Sequence, residues 1–191
     1  MADLIDIITQ QLGGNALNVL SQQIGANANQ TQDAVSAALP VLLGALAKNT
    51  SNSAGASSLA SALDRDHDGS ILDDVAGFLG NPQGGAAILG HVLGNNQQNV
   101  AAGVGKATGL NSNQSAQLLA ALAPIVLGAL GRQKQSQGLD ASGLAKVLFN
   151  NQSTAQQNNP ALQMLTSVLD KDGDGSIVDD LGGMLSGFLR R

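Results

Sequence analysis

Apolar residues recur along this chain at helical spacing. Leu4, Ile5, Ile8 and Leu12 fall on one face of a helix of about 3.6 residues per turn, and Leu17, Leu20 and Ile24 form a second such face after Gly13-Gly14. Thr31 to Lys48 continues the pattern and becomes apolar on nearly every side in its second half, which predicts a buried central helix. No period-two alternation of useful length appears, so the pattern predicts an all-α, multihelical fold. Stretches rich in Gly, Asn, Gln and Ser separate the helices at 49–55, 80–85, 94–99, 133–138 and 150–159, and Pro160 suits the first turn of a helix over 161–169.

The pattern also repeats. Asn29-Gln30-Thr31 through Leu39-Pro40-Val41-Leu42-Leu43-Gly44-Ala45-Leu46 returns as Asn113-Gln114-Ser115 through Ala123-Pro124-Ile125-Val126-Leu127-Gly128-Ala129-Leu130, at an offset of 84. An internal duplication follows, with one helical repeat over 1–81 and a second over 82–191. Pro40 and Pro124 each remove a helical hydrogen bond and crowd the preceding turn, so a kink or a break is expected at both. The Gly44-Ala45 and Gly128-Ala129 pairs allow a neighbouring helix to approach closely.

Each repeat ends in an Asp-rich loop. Asp64-Arg65-Asp66-His67-Asp68-Gly69-Ser70-Ile71-Leu72-Asp73-Asp74 and Asp170-Lys171-Asp172-Gly173-Asp174-Gly175-Ser176-Ile177-Val178-Asp179-Asp180 agree at eight of 11 positions. They lie 106 residues apart, so the second repeat holds about 22 additional residues before its loop. A hard cation such as Ca2+ takes six to eight oxygens, and a D-x-D-x-D-G loop offers carboxylates at positions 1, 3 and 5, a sharp turn at Gly and a backbone carbonyl at position 7. Those are Asp64, Asp66, Asp68, Gly69 and Ser70, repeated as Asp170, Asp172, Asp174, Gly175 and Ser176. Ile71 and Ile177 stand at position 8, where paired loops of this type meet. The usual closing Glu at position 12 is replaced by Val75 or Leu181, so closure falls to Asp73 or Asp74 and to Asp179 or Asp180, with weak affinity expected. The competing reading is a capped turn: Ser70-x-x-Asp73 and Ser176-x-x-Asp179 fit capping boxes. Capping accounts for the Ser and the last two acids, but not for three alternating Asp before a Gly, twice.

Composition sharpens this. All 14 acidic residues are Asp, and ten of them lie in the two loops. The hydrophobic content of 43% is enough for a real core, built from aliphatic residues because Phe78, Phe149 and Phe188 are the only aromatics. With no Cys, disulfides, thiolate metal sites and thiol catalysis are excluded. A net charge of −5 with nine scattered Lys and Arg argues against nucleic acid. The apolar run Leu118 to Leu130 is shorter than the roughly 20 residues of a membrane span, so no span is expected. Met1 to Asp6 carries no Lys or Arg, and without a basic signal start the expected location is cytoplasmic, with unconventional export the route to calcium-rich surroundings.

Other chemistry is sparse. His67 is expected to face solvent at loop position 4, and His91 to be a packed, hydrogen-bonded histidine. Gly103-Val104-Gly105-Lys106 fails as a phosphate loop, because Val100 stands where Gly is needed and Ala107 where Ser or Thr is needed. No small-molecule substrate emerges, and an enzyme is not expected.

The segments Ala37 to Leu46, Ile88-Leu89-Gly90-His91 and Leu122 to Leu130, with both Asp loops and their closing Asp pairs, resemble the bacterial YidB-like family, a domain of unknown function. The resemblance implies a multihelical bacterial protein and brings no catalytic residues. The expected function is a non-enzymatic, calcium-binding helical protein with two sites, in which metal orders two helix-loop-helix units and a surface for a protein partner or for self-association. The alternative is a self-assembling structural or interaction protein, favoured by a charged content of only 12%, whose loops are merely capped turns.

Overall fold

A computed structural model describes residues 4–66, 69–80 and 84–158. The described residues are helical, with no strand among them: α1 (Leu4–Gln11), α2 (Asn15–Ile24), α3 (Ala28–Asn49), α4 (Ser53–Asp66), a 3-10 turn (Ser70–Asp73), α5 (Val75–Gly80), α6 (Gly85–Leu93), a second 3-10 turn (Gly94–Asn96), α7 (Gln97–Thr108), α8 (Ser112–Gln137) and α9 (Ala141–Asn158). The all-α expectation holds. The chain divides into a compact unit, Met1–Gln152, and a second, Ser153–Arg191, of which only the end of α9 is described.

In the first unit, helices from either side of residue 81 share one core. Its axis is α8, where Leu118, Leu119, Leu122 and Ile125 are fully buried, packed by α1, α2, α3, α4, α6 and α7. Each such side chain contributes about 1.5–3 kcal/mol when removed from water. The helix is 26 residues long, twice the apolar run Leu118 to Leu130. By length and composition alone it would therefore suffice to cross a membrane, contrary to the expectation drawn from the run. In this fold 78% of its apolar window is buried against protein, as in a core helix.

Neither proline breaks its helix, since α3 runs through Pro40 and α8 through Pro124. Pro124 has no N–H for the carbonyl of Ala120, four residues earlier. The start of α6 presses against that carbonyl: a Cβ at Gly85 would lie 2.1 Å from Ala120 O. Glycine thus lets α6 close on the kind of helix surface that proline leaves.

One local construction appears twice, 84 residues apart. Helices α2 and α7 end at left-handed Gly25 and Gly109. The next helices begin at Asn27 and Asn111, whose side chains accept from Gln30 N at 2.8 Å and Gln114 N at 2.9 Å. Buried Thr31 and Ser115 donate back to the carbonyls of Asn27 and Asn111. Contacts across the pair are reciprocal: Gln114 Nε2 donates to Gly25 O at 2.8 Å, and Gln30 Nε2 lies 3.5 Å from where a Cβ of Gly109 would stand. Asn27→Ala and Asn111→Ala are each expected to cost about 1 kcal/mol, the usual worth of an N-cap. Urea titration of both variants checks this; the two sites differ in detail, since Gln114 Oε1 accepts from Asn111 N at 3.0 Å to complete a capping box whereas Gln30 Oε1 accepts from Asn27 Nδ2 at 2.7 Å.

The two ends of the unit are also joined. Leu144 and Leu148 bury α9 against the core, and Asn151 Oδ1 accepts from Leu4 N at 3.2 Å, satisfying one of the free donors of the first turn of α1.

Candidate functional site

The Asp64 to Asp74 loop connects α4 to α5. Helix α4 continues through Asp66, so Asp64 and Asp66 both lie in its last turn, about 200° apart around the helix axis at two residues' separation. His67 and Asp68 lie outside the described residues. The chain then turns at Gly69, with φ 94° and ψ 0°, a left-handed conformation that favours glycine. This is the sharp bend expected at loop position 6. Ser70 opens the 3-10 turn, Asp73 ends it, and Asp74 leaves it with φ −144° and ψ 70°. Asp74 Oδ1 accepts from Gly77 N at 2.8 Å, so it caps α5. The expected Ser70-x-x-Asp73 box is therefore corrected: those residues form the tight turn, and the cap is one residue later.

The loop is seated on α8. A Cβ at Gly128 would lie 2.3 Å from Ile71 Cγ2, and one at Gly69 would lie 2.8 Å from Arg132 Cβ and 3.1 Å from Gly128 O. Two glycines, one on each side, make this approach fit. Ile71, expected at a meeting of paired loops, packs against Gly128, and its counterpart Ile177 lies outside the described residues. Behind it Leu72, Val75 and Leu79 are buried, and α5 packs on α2.

Positive charge arrives from α8. Arg132 Nη2 donates to the Gly69 carbonyl at 3.1 Å and also to the Asp73 carboxylate. Lys134 Nζ lies 2.5 Å from Asp64 Oδ1. The Arg132 and Asp73 side chains are 43% and 72% exposed, so that pair contributes about 0–1 kcal/mol, whereas Lys134 is only 14% exposed beside Asp64 at 55%. Position and neutralisation, more than stability, are what these contacts supply.

The expected ligands thus part company. Asp64 is paired with Lys134, Asp66 is exposed, Asp73 is held by Arg132, and Asp74 is a helix cap. Among the described residues no three acids or histidines gather closely enough to hold a metal ion. The donors are of the right chemistry for a hard dication, but the described acids of this loop are not gathered around one point. The second set, Asp170, Asp172, Asp174, Ser176, Asp179 and Asp180, lies outside the described residues.

Two histidine and lysine readings are settled by the helices. His91 is exposed, contrary to the packed histidine expected, because α6 turns Leu89, Val92 and Leu93 to the core and carries His91 on the outer side. Lys106 is exposed on α7, whose helix includes Gly103 to Lys106, so that segment forms no phosphate-binding loop. An open depression on α4 lined by Ser57, Ser58, Ser61 and Arg65 offers hydroxyls and a guanidinium, with no acid or base among its lining to work with them.

The sequence reading missed Arg132 and Lys134. A signal was present: Lys48 stands 84 residues before Arg132, so a basic residue recurs at the same place after the repeated apolar run.

A family described as a bacterial protein of unknown function (DUF937) matches residues 6–133, about two-thirds of the chain, including the whole Asp64 to Asp74 loop and Arg132. No curated protein and no solved structure matches.

Proposed function

We propose a calcium-responsive role for this chain, which belongs to the bacterial family of unknown function (DUF937) matched over residues 6–133. It is a non-enzymatic helical protein whose Asp64 to Asp74 loop takes a divalent cation and, in doing so, resets the α4–α5 surface offered to another protein.

The observation that carries this reading is the crowding of carboxylates around a left-handed glycine turn in one loop. Five Asp and one Arg within 11 residues leave that loop strongly negative. Lys134 and Arg132 answer the charge at its two ends, on Asp64 and Asp73. Asp66 and Asp74 keep exposed carboxylates beside them. Hard oxygen donors around a left-handed glycine suit calcium better than a soft metal. The absence of Cys, Glu, Tyr and Trp from the sequence supports binding over catalysis.

Calorimetric titration of the full chain with calcium tests the proposal. Binding heat is expected, with a rise in melting temperature equivalent to about 2.7 kcal/mol at a hundredfold excess over Kd for one site. Asp64→Ala combined with Asp170→Ala is expected to remove both signals. An unchanged melt with no binding heat in the wild-type chain would refute it.

A further inference from the structure

The two long helices share a sequence pattern but not their surroundings. On α8 the face carrying Ala121, Pro124, Ile125 and Gly128 is buried, with Ile71 against Gly128 and the start of α6 against the Ala120 carbonyl. The matching face of α3, 84 residues earlier, is Ala37, Pro40, Val41 and Gly44. All four are only half-buried. Asp33 and Lys48, both exposed, extend that face at its two ends, and they are the only charged residues of α3. At 3.6 residues per turn the six positions fall within about 100° of the helix surface, so they form one stripe.

Turned end for end, this stripe complements itself. About a centre between Pro40 and Val41, Gly44 stands opposite Ala37 and Lys48 opposite Asp33. We infer that this face of α3 is an interface for a second copy of the chain, in which two α3 helices lie antiparallel about a two-fold axis. Such an interface is isologous, so each contact occurs twice and both ends carry an Asp33–Lys48 pair between the copies. The small residues at 37 and 44 let the helices close, and the charges fix their direction. A parallel pairing would set Asp33 against Asp33 and Lys48 against Lys48, which like-charge repulsion disfavours. The two charged positions are 15 residues apart, about 22 Å along the axis, so both pairs form only at a shallow crossing, the class near 20°. One helix face buries less than the roughly 1,200–2,000 Å² of a stable specific complex, and the association is therefore weak and concentration-dependent. The inference goes beyond the cation-binding reading and does not rest on it.

Sedimentation velocity of the full chain over a wide concentration range, in EDTA so that metal plays no part, tests the interface. A reversible monomer–dimer equilibrium is expected for the wild type. Asp33→Lys makes both ends of the stripe positive, and Lys48→Asp makes both negative. Each change alone is expected to weaken dimerisation about tenfold or more, because two opposite-charge pairs become two like-charge pairs. Both changes in one chain restore the complementarity, and with it the dimer. Mixing the two singly changed chains is the most specific arm: neither fits itself, yet each fits the other. A heterodimer is expected at concentrations where each alone is monomeric. Both positions are exposed, and circular dichroism checks that the helix content is kept. If one single variant does not fold, the other and the double variant decide. A wild-type chain that stays monomeric at every concentration overturns the inference. So does a dimer that the reversals leave unchanged, or a mixture without heterodimer, since association then uses another surface.

Discussion

Gly85→Val is expected to lower stability by about 2–3 kcal/mol, at the upper end of the usual cost of overpacking. At this chain length that corresponds to a fall of roughly 5–10 °C in melting temperature. The size follows from what the new side chain would meet. Its Cβ would stand 2.1 Å from Ala120 O and 2.9 Å from Ala120 C. Those atoms belong to the backbone of the central helix and cannot rotate aside as a side chain can. Helix α6 must withdraw, and with it Leu89, Val92 and Leu93, which are buried in the same face. Thermal melts of the variant and of Ala86→Val, an exposed neighbour on the same helix, separate the clash from the change in helix propensity. The neighbour is expected to stay within about 0.5 kcal/mol of the wild type.

Gly128→Val should be the second large effect, about 1–3 kcal/mol by the same overpacking argument, but with a different signature. Here the obstacle is Ile71 Cγ2, 2.3 Å from the new Cβ, and Ile71 is the end of a side chain on a short loop. The loop can leave where α6 cannot. The variant is expected to expose the 3-10 turn, so that the amide of Leu72, which donates to Gly69 O at 3.0 Å, exchanges hydrogen faster than in the wild type. Ile71→Ala added to the same chain should restore part of the loss, because it removes the atom in the way. A double-mutant cycle checks this, with a coupling of about 0.5 kcal/mol or more expected for residues in contact. Strict additivity of the two changes would show that Gly128 acts elsewhere.

These two glycines mark where sequence reading worked and where it stopped. The helices were legible because their apolar spacing is local, and the turn at Gly69 was legible because a left-handed bend favours glycine; the caps at Asn27 and Asn111 were not read. The Gly128-Ala129 pair was read correctly as a point of close approach. What approaches it was not, since nothing local links Gly128 to Ile71, 57 residues earlier in the chain. The loop acids show the same division. Their clustering gave away a demand for positive charge, but Arg132 and Lys134, separated from their partners by 59 and 70 residues, answer it through helix packing. The prolines were read only in part. Read locally they foretell a kink or a break, and the break does not occur, since α3 and α8 run through Pro40 and Pro124.

The bond from Leu4 N to Asn151 Oδ1 spans 147 residues of sequence. At ribosomal speeds of about 5–20 residues per second, some 7–30 s of synthesis separate the donor from its acceptor. Over that interval the first helix is held by its apolar side alone, with Leu4 and Ile8 available to any other greasy surface nearby. The beginning of this chain therefore waits on its ninth helix, and a nascent chain stalled before residue 151 should present α1 to chaperones or proteases in a way the finished protein does not.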